Sequence, residues 1–185
     1  QRREVARGSV LQFEQAVKRD PEFAAAYSEI AWVYWSQANG NGNPHELMPK
    51  AKLAATRAIS IDPKSAKAHV VMATVNEYDF DWKGAEKEYL KAIELSPNLD
   101  FAHINYAYFL SVMGRHQEAL AELEQLRIRD PINQKLNLLW KVSILSQARK
   151  FDEALTVYQE AQKLEKDSDV KPFALGYVYA GKMMY

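Results

Sequence analysis

Apolar and small residues recur in this chain at the three-and-four spacing of a helix stripe, and the stripes come in blocks that close on proline. Phe13 and Ala16 mark the inward side of a helix over roughly residues 2 to 19, which Asp20-Pro21 ends. Tyr27, Ile30, Ala31 and Tyr34 define a second helix, and Ala51 and Ala58 a third, closed by Asp62-Pro63. Met72 and Ala73, then Ala85, Tyr89 and Ala92, form the next pair before Ser96-Pro97. Tyr106, Ala107 and Leu110, then Ala119, Leu123 and Leu126, precede Asp130-Pro131. Proline cannot continue a helix, so each block predicts two helices and a stop, and the expected class is all-α.

The blocks are copies of one phrase. Pro63, Pro97 and Pro131 stand 34 residues apart, whereas Pro21 to Pro63 spans 42. The 8 additional residues are Gln37 to Pro44, a Gly/Asn/Pro run expected to separate two helices. Gly114 supplies a positive-φ stop in the fourth block, and Tyr78 to Trp82 occupies the corresponding place in the third. There Asp81 is expected to cap the following helix, with Phe80 and Trp82 sealing the hairpin end. The fifth block keeps Trp140, Ile144, Ala154, Tyr158 and Ala161 but has one extra residue near Ser146, Lys141 at a small-residue position and no closing proline. Leu175-Gly176-Tyr177-Val178-Tyr179 opens one more.

Aromatic-x2-aliphatic-small-x2-Tyr, followed by Ala and an aromatic four residues on and then proline, resembles the tetratricopeptide repeat. The resemblance implies a right-handed superhelical solenoid of antiparallel helix pairs, first helices lining a concave side and second helices outside. It implies one domain over residues 1–185: a half repeat 1–21, repeats 22–63, 64–97, 98–131 and 132–168, and a half repeat 169–185. Ala or Gly at the small positions lets neighbouring backbones approach, and Leu, Tyr and Phe fill what remains.

In such a stack certain first-helix positions face the groove without being needed for folding. Here they supply Trp32, Trp35, Val70, Tyr78, Phe101, Asn105, Tyr108, Leu138, Val142 and Tyr177, with Glu29 and Glu77 among them. An apolar, aromatic wall of this extent is more than a monomer ordinarily exposes. It predicts a protein or peptide partner, an extended segment or an amphipathic helix held by aromatic anchors. A carboxylate clamp of Lys, Arg and Asn is absent at these positions, and the sixth position reads Glu29, Val71, Asn105, Leu139, Ala174 rather than an Asn ladder. Trp32, Trp35, Phe101 and Tyr108 are the strongest anchors, weighed against the alternative that aromatic stripes at helical spacing are core.

Tyr78 to Glu86, Ala92 to Asn98 and Met113 to Leu120 also resemble the C-terminal tetratricopeptide region of bacterial signalling proteins with winged-helix, class III adenylate cyclase or Ser/Thr kinase N-terminal parts. That resemblance implies a regulatory module whose partner is an effector domain of the same polypeptide. The location implied is cytoplasmic, or periplasmic where the regulator is tethered to a membrane. Two competing readings are a self-association module, a homodimer formed through the truncated ends, and a sensor of small apolar ligands.

Charge and composition narrow the rest. Lys+Arg and Asp+Glu both count 24, leaving no net field for nucleic acid or an anionic membrane. Cys is absent, which removes disulfides and thiolate metal sites. The longest apolar stretch, Phe101 to Met113, is interrupted by His103 and Asn105 and is too short to span a bilayer. His69 and His103 occupy the same repeat position, roughly 10 Å apart in adjacent repeats, too far to share an ion held at about 2.1 Å. They are expected as packed, hydrogen-bonded residues. Gly40-Asn41-Gly42 lacks the Lys-Ser/Thr of a phosphate loop, and no nucleophile, base and acid converge in sequence. Neither an enzyme nor a cofactor is expected.

Overall fold

The computed structural model describes residues 2–40, 42–129 and 134–164. The closing Pro131 and the final half repeat with Tyr177 lie outside the described residues. Among the described residues the chain is all helix: α1 Arg2–Arg19, α2 Ala24–Asn39, α3 Pro44–Ile61, α4 Ala66–Tyr78, α5 Trp82–Leu95, α6 Asp100–Val112, α7 His116–Arg129, α8 Gln134–Gln147 and α9 Phe151–Lys163. The chain forms two compact units, Gln1–Ala102 and His103–Tyr185.

In the first unit consecutive helices pack on one another, α1 on α2, α2 on α3, α3 on α4 and α4 on α5, and α2 also touches α4. The core joins Ile30, Ala31 and Ala38 of α2 to Met48, Ala51, Ala54 and Ala55 of α3 and to Val71 and Val75 of α4. Ala31, Ala51, Ala55, Ala58, Ala73, Ala85 and Ala92 are wholly buried. A methyl group in such a place lets two helix backbones approach closely, which is why the repeating phrase specifies alanine. In the second unit Val142 and Leu145 of α8 meet Ala154 and Tyr158 of α9, with Leu120 of α7 packed alongside.

Helix ends follow side-chain chemistry. The Asp-Pro stops are Asx turns: Asp20 Oδ1 accepts from the Glu22 N–H at 3.0 Å, and Asp62 Oδ1 from the Lys64 N–H at 2.9 Å. Asp81 caps α5 by accepting from the Gly84 N–H at 3.0 Å, as its position predicts. The break between α2 and α3 is shorter than the Gly/Asn/Pro run suggests. Gln37, Ala38 and Asn39 continue α2, and α3 begins on Pro44 behind the Asn43 cap. Pro44 loses nothing there, because the N–H it lacks would have no helical acceptor in the first turn.

The turns from α4 to α5, α6 to α7 and α8 to α9 share one geometry. Phe80, Gly114 and Arg149 hold φ of 61, 78 and 61°. The next residue's N–H reaches five residues back in each: Asp81 to Asn76 O at 2.8 Å, Arg115 to Leu110 O at 2.8 Å, and Lys150 to Leu145 O at 2.9 Å. This is the Schellman closure, which satisfies carbonyls left over at a helix C-terminus. Gly114 adopts it without steric cost, and Phe80 and Arg149 do so against the preference of an L side chain.

Candidate functional site

Three of the sequence-predicted anchors come together in the first unit. Trp32 and Trp35, one turn apart on α2, have ring centroids 4.4 Å apart at 39°. Trp32 also meets Phe101, at the start of α6, with centroids 4.6 Å apart at 56°. All three rings are half-buried. Lys67 reaches from α4 to lie 5.8 Å from the Trp32 centroid, and its Nζ pairs with Glu29 at 2.5 Å. Glu29 is one turn before Trp32, so a single face of α2 carries an acid and two indoles. The Trp35 Nε1–H is buried and has no hydrogen-bond acceptor.

Tyr78 stands at the end of α4, where its hydroxyl and His45 Nδ1 are 2.6 Å apart and the two rings pack edge to face. Val70, by contrast, is wholly buried and offers no free surface. In the second unit Tyr108 is 41% exposed and packs edge to face against Trp140 at 6.0 Å. Asn105 is half-buried. Leu138 and Val142 are buried, Val142 within the α8–α9 core. The three aliphatic residues therefore serve helix packing, while the aromatic members keep accessible rings. Tyr177 lies outside the described residues.

Glu77, expected on the groove side, is taken up by its own hairpin, where it accepts a hydrogen bond from the Tyr89 hydroxyl of α5. Burial pushes its carboxyl up to about 7, against the opposing effect of that bond. Burial foremost, then Glu77, raises the Tyr89 phenol. No sequence signal pointed to this pair, because both residues sit at positions whose spacing predicts only a stripe. Trp140 as the ring against Tyr108 was equally hidden. His69 and His103 are the packed residues their apolar surroundings predict, bonded through Nδ1 to Glu88 at 2.5 Å and to Glu122 at 2.9 Å.

Among the described residues no group of His, Cys, Asp or Glu could hold a metal ion, and no helix is long and apolar enough to cross a membrane.

Stacked helical hairpins, alanines at the approach points and a Schellman turn closing α4–α5, α6–α7 and α8–α9 define a helical-repeat protein. The tetratricopeptide repeat model matches residues 88–121, running from α5 to α7, in agreement with the tetratricopeptide resemblance of the sequence. Tetratricopeptide proteins act in protein–protein interaction and are generally non-catalytic. The type IV pilus assembly protein PilF of Pseudomonas aeruginosa is 31% identical over 98 residues, which are 53% of this chain and 36% of that protein, so the match spans about a third of the relative's length. The solved PilF structure superposes with a TM-score of 0.68 at 22% identity, covering 91% of this chain and 72% of that one. MamA gives a TM-score of 0.62 at 18% identity, with 89% and 85% covered. YrrB, described as a tetratricopeptide protein with an unusual peptide-binding site, gives 0.59 at 18%, with 92% and 84% covered. At these identities the superpositions establish the fold. PilF, MamA and YrrB do not carry the resemblance to the C-terminal regions of signalling regulators.

Proposed function

We propose that the chain is a non-catalytic recognition module that takes up a peptide or amphipathic helix on the ring cluster of Trp32, Trp35 and Phe101. The observation that carries this reading is that three large rings, each half-buried, converge around Trp32 with a paired Lys67 and Glu29 at their edge. Rigid aromatic anchors beside a charged rim are the usual composition of a binding hot spot. Tyr78 extends the surface in the first unit, and Tyr108 with Asn105 presents a second surface in the other. Val70, Leu138 and Val142 support these surfaces from beneath rather than touching a ligand. Tyr177 remains a candidate on sequence grounds.

The repeat boundaries at 22–63, 64–97, 98–131 and 132–168 belong to the same proposal, as does attachment to an effector domain in a cytoplasmic bacterial regulator. Selection from a displayed peptide library against the unmodified chain tests the docking claim, with Trp32→Ala and Phe101→Ala as discriminators. Selected peptides are expected to lose at least tenfold in affinity for either variant. Peptides indifferent to both substitutions would remove the ring cluster as the site.

A further inference from the structure

Two part-buried polar links tie α4 to α5, and both depend on a proton. His69 is 7% exposed, with Nδ1 2.5 Å from Glu88 Oε2 and Nε2 3.0 Å from the Pro63 carbonyl oxygen. A carbonyl only accepts, so Nε2 must donate, and a neutral ring would then turn a bare nitrogen toward a carboxylate. The pair is satisfied when the ring carries one further proton, as imidazolium facing carboxylate. Toward the other end of α4, Glu77 takes its hydrogen bond from the Tyr89 hydroxyl, a neutral donor, in a setting where Tyr89 is 1% exposed. A charged carboxylate there is stripped of water without gaining a cation.

We propose that the α4–α5 hairpin is a proton-operated clasp, closed while the His69–Glu88 pair and the Glu77 carboxyl keep their protons and loosened when both release them. The surrounding charges leave these two links in control. Lys91 on α5 weakly opposes a charge on His69. On α2, Glu29 is engaged by Lys67; on α3, Lys52 pairs with Asp79 and His45 meets Tyr78; in the turn, Asp81 caps α5. The Glu88 hydrogen bond raises the His69 imidazole against the effect of burial, and burial raises Glu77 to about 7. Folding raises both groups, so the folded hairpin binds more protons than the unfolded one. Its extra stability is complete below the ordinary carboxylate and imidazole ranges and is lost as pH rises through the raised values.

An internal control lies in the same chain. His103 and Glu122 repeat the histidine link between α6 and α7. At the matching register of α8 and α9 stand Asn137 and Val157, and Asn137 bonds instead to the Leu123 carbonyl. Amide hydrogen exchange of the full chain, corrected for intrinsic rates between about pH 5.5 and 8.5, tests the clasp. Protection of residues 66–95 is expected to fall roughly tenfold or more as the protons leave, while residues 134–163 change little, since each unit of pKa shift corresponds to about a tenfold change. Glu77→Gln, which cannot ionise, is expected to flatten the dependence. Equal profiles in the two hairpins, or an unchanged slope in Glu77→Gln, would overturn the proposal. Nitrogen NMR of the unmodified protein supplies a readout independent of any variant: a proton on both His69 nitrogens at about pH 6.5 supports the clasp. A neutral His69 at that pH would also overturn it.

Discussion

Trp32 of α2 and Phe101 of α6 lie ring against ring although three helices, α3 to α5, separate them in the chain. Each such aromatic contact is worth about 0.5–1.5 kcal/mol beyond the area it buries. Trp32→Ala removes this contact and the one to Trp35 and is expected to cost about 2 kcal/mol in urea unfolding, with the helical circular dichroism retained. A loss of helix content would assign Trp32 to the core rather than to the surface.

Trp35 holds an N–H that is buried without an acceptor, an arrangement that costs about 1–3 kcal/mol. Trp35→Phe relieves that cost while giving up part of the ring, so the two effects offset. Stability within about 1 kcal/mol of the parent is expected. A much larger loss would reveal a hydrogen bond to the indole.

Glu77 sets a pH dependence of known sign. Its carboxyl rises from 4.5 unfolded to about 7 folded, so the protein loses stability as pH climbs through that interval. The full shift corresponds to about 3 kcal/mol. Glu77→Gln is expected to match the parent near the lower limit and to exceed it by roughly 1–3 kcal/mol at about pH 8. Thermal melts across the range check this, and parallel curves for the two proteins would refute it.

How much of this was legible in the sequence follows from what each residue does. Alanine where helices cross is a demand of distance, so Ala31, Ala85, Ala119 and Ala154 announced the hairpins, and all four are wholly buried. Asp81 as a cap was equally readable, since capping is a local bond. The surface residues were harder. Val142 stands at the repeat position of Trp32 and Tyr108, yet a compact aliphatic side chain tucks between helices where an indole cannot. The Glu77–Tyr89 and Tyr108–Trp140 partnerships join different helices, and no local pattern encodes which side chain waits across the gap.

Phe80 occupies the backbone conformation that Gly114 adopts one repeat later, and its side chain is 76% exposed. A left-handed L residue costs roughly 1–2 kcal/mol, and little buried area offsets it here. Phe80→Gly is therefore expected to raise stability by about 1 kcal/mol in chemical denaturation. A decrease would show that its edge-to-face contact with Trp82, at 5.7 Å, outweighs the strain.

Because the same closure accepts phenylalanine, glycine and arginine, the bend is dictated by the helices it joins and not by the residue at its apex. Each of these hairpins thus offers an interchangeable, water-facing vertex, where a fluorophore or spin label can be attached without disturbing the interior.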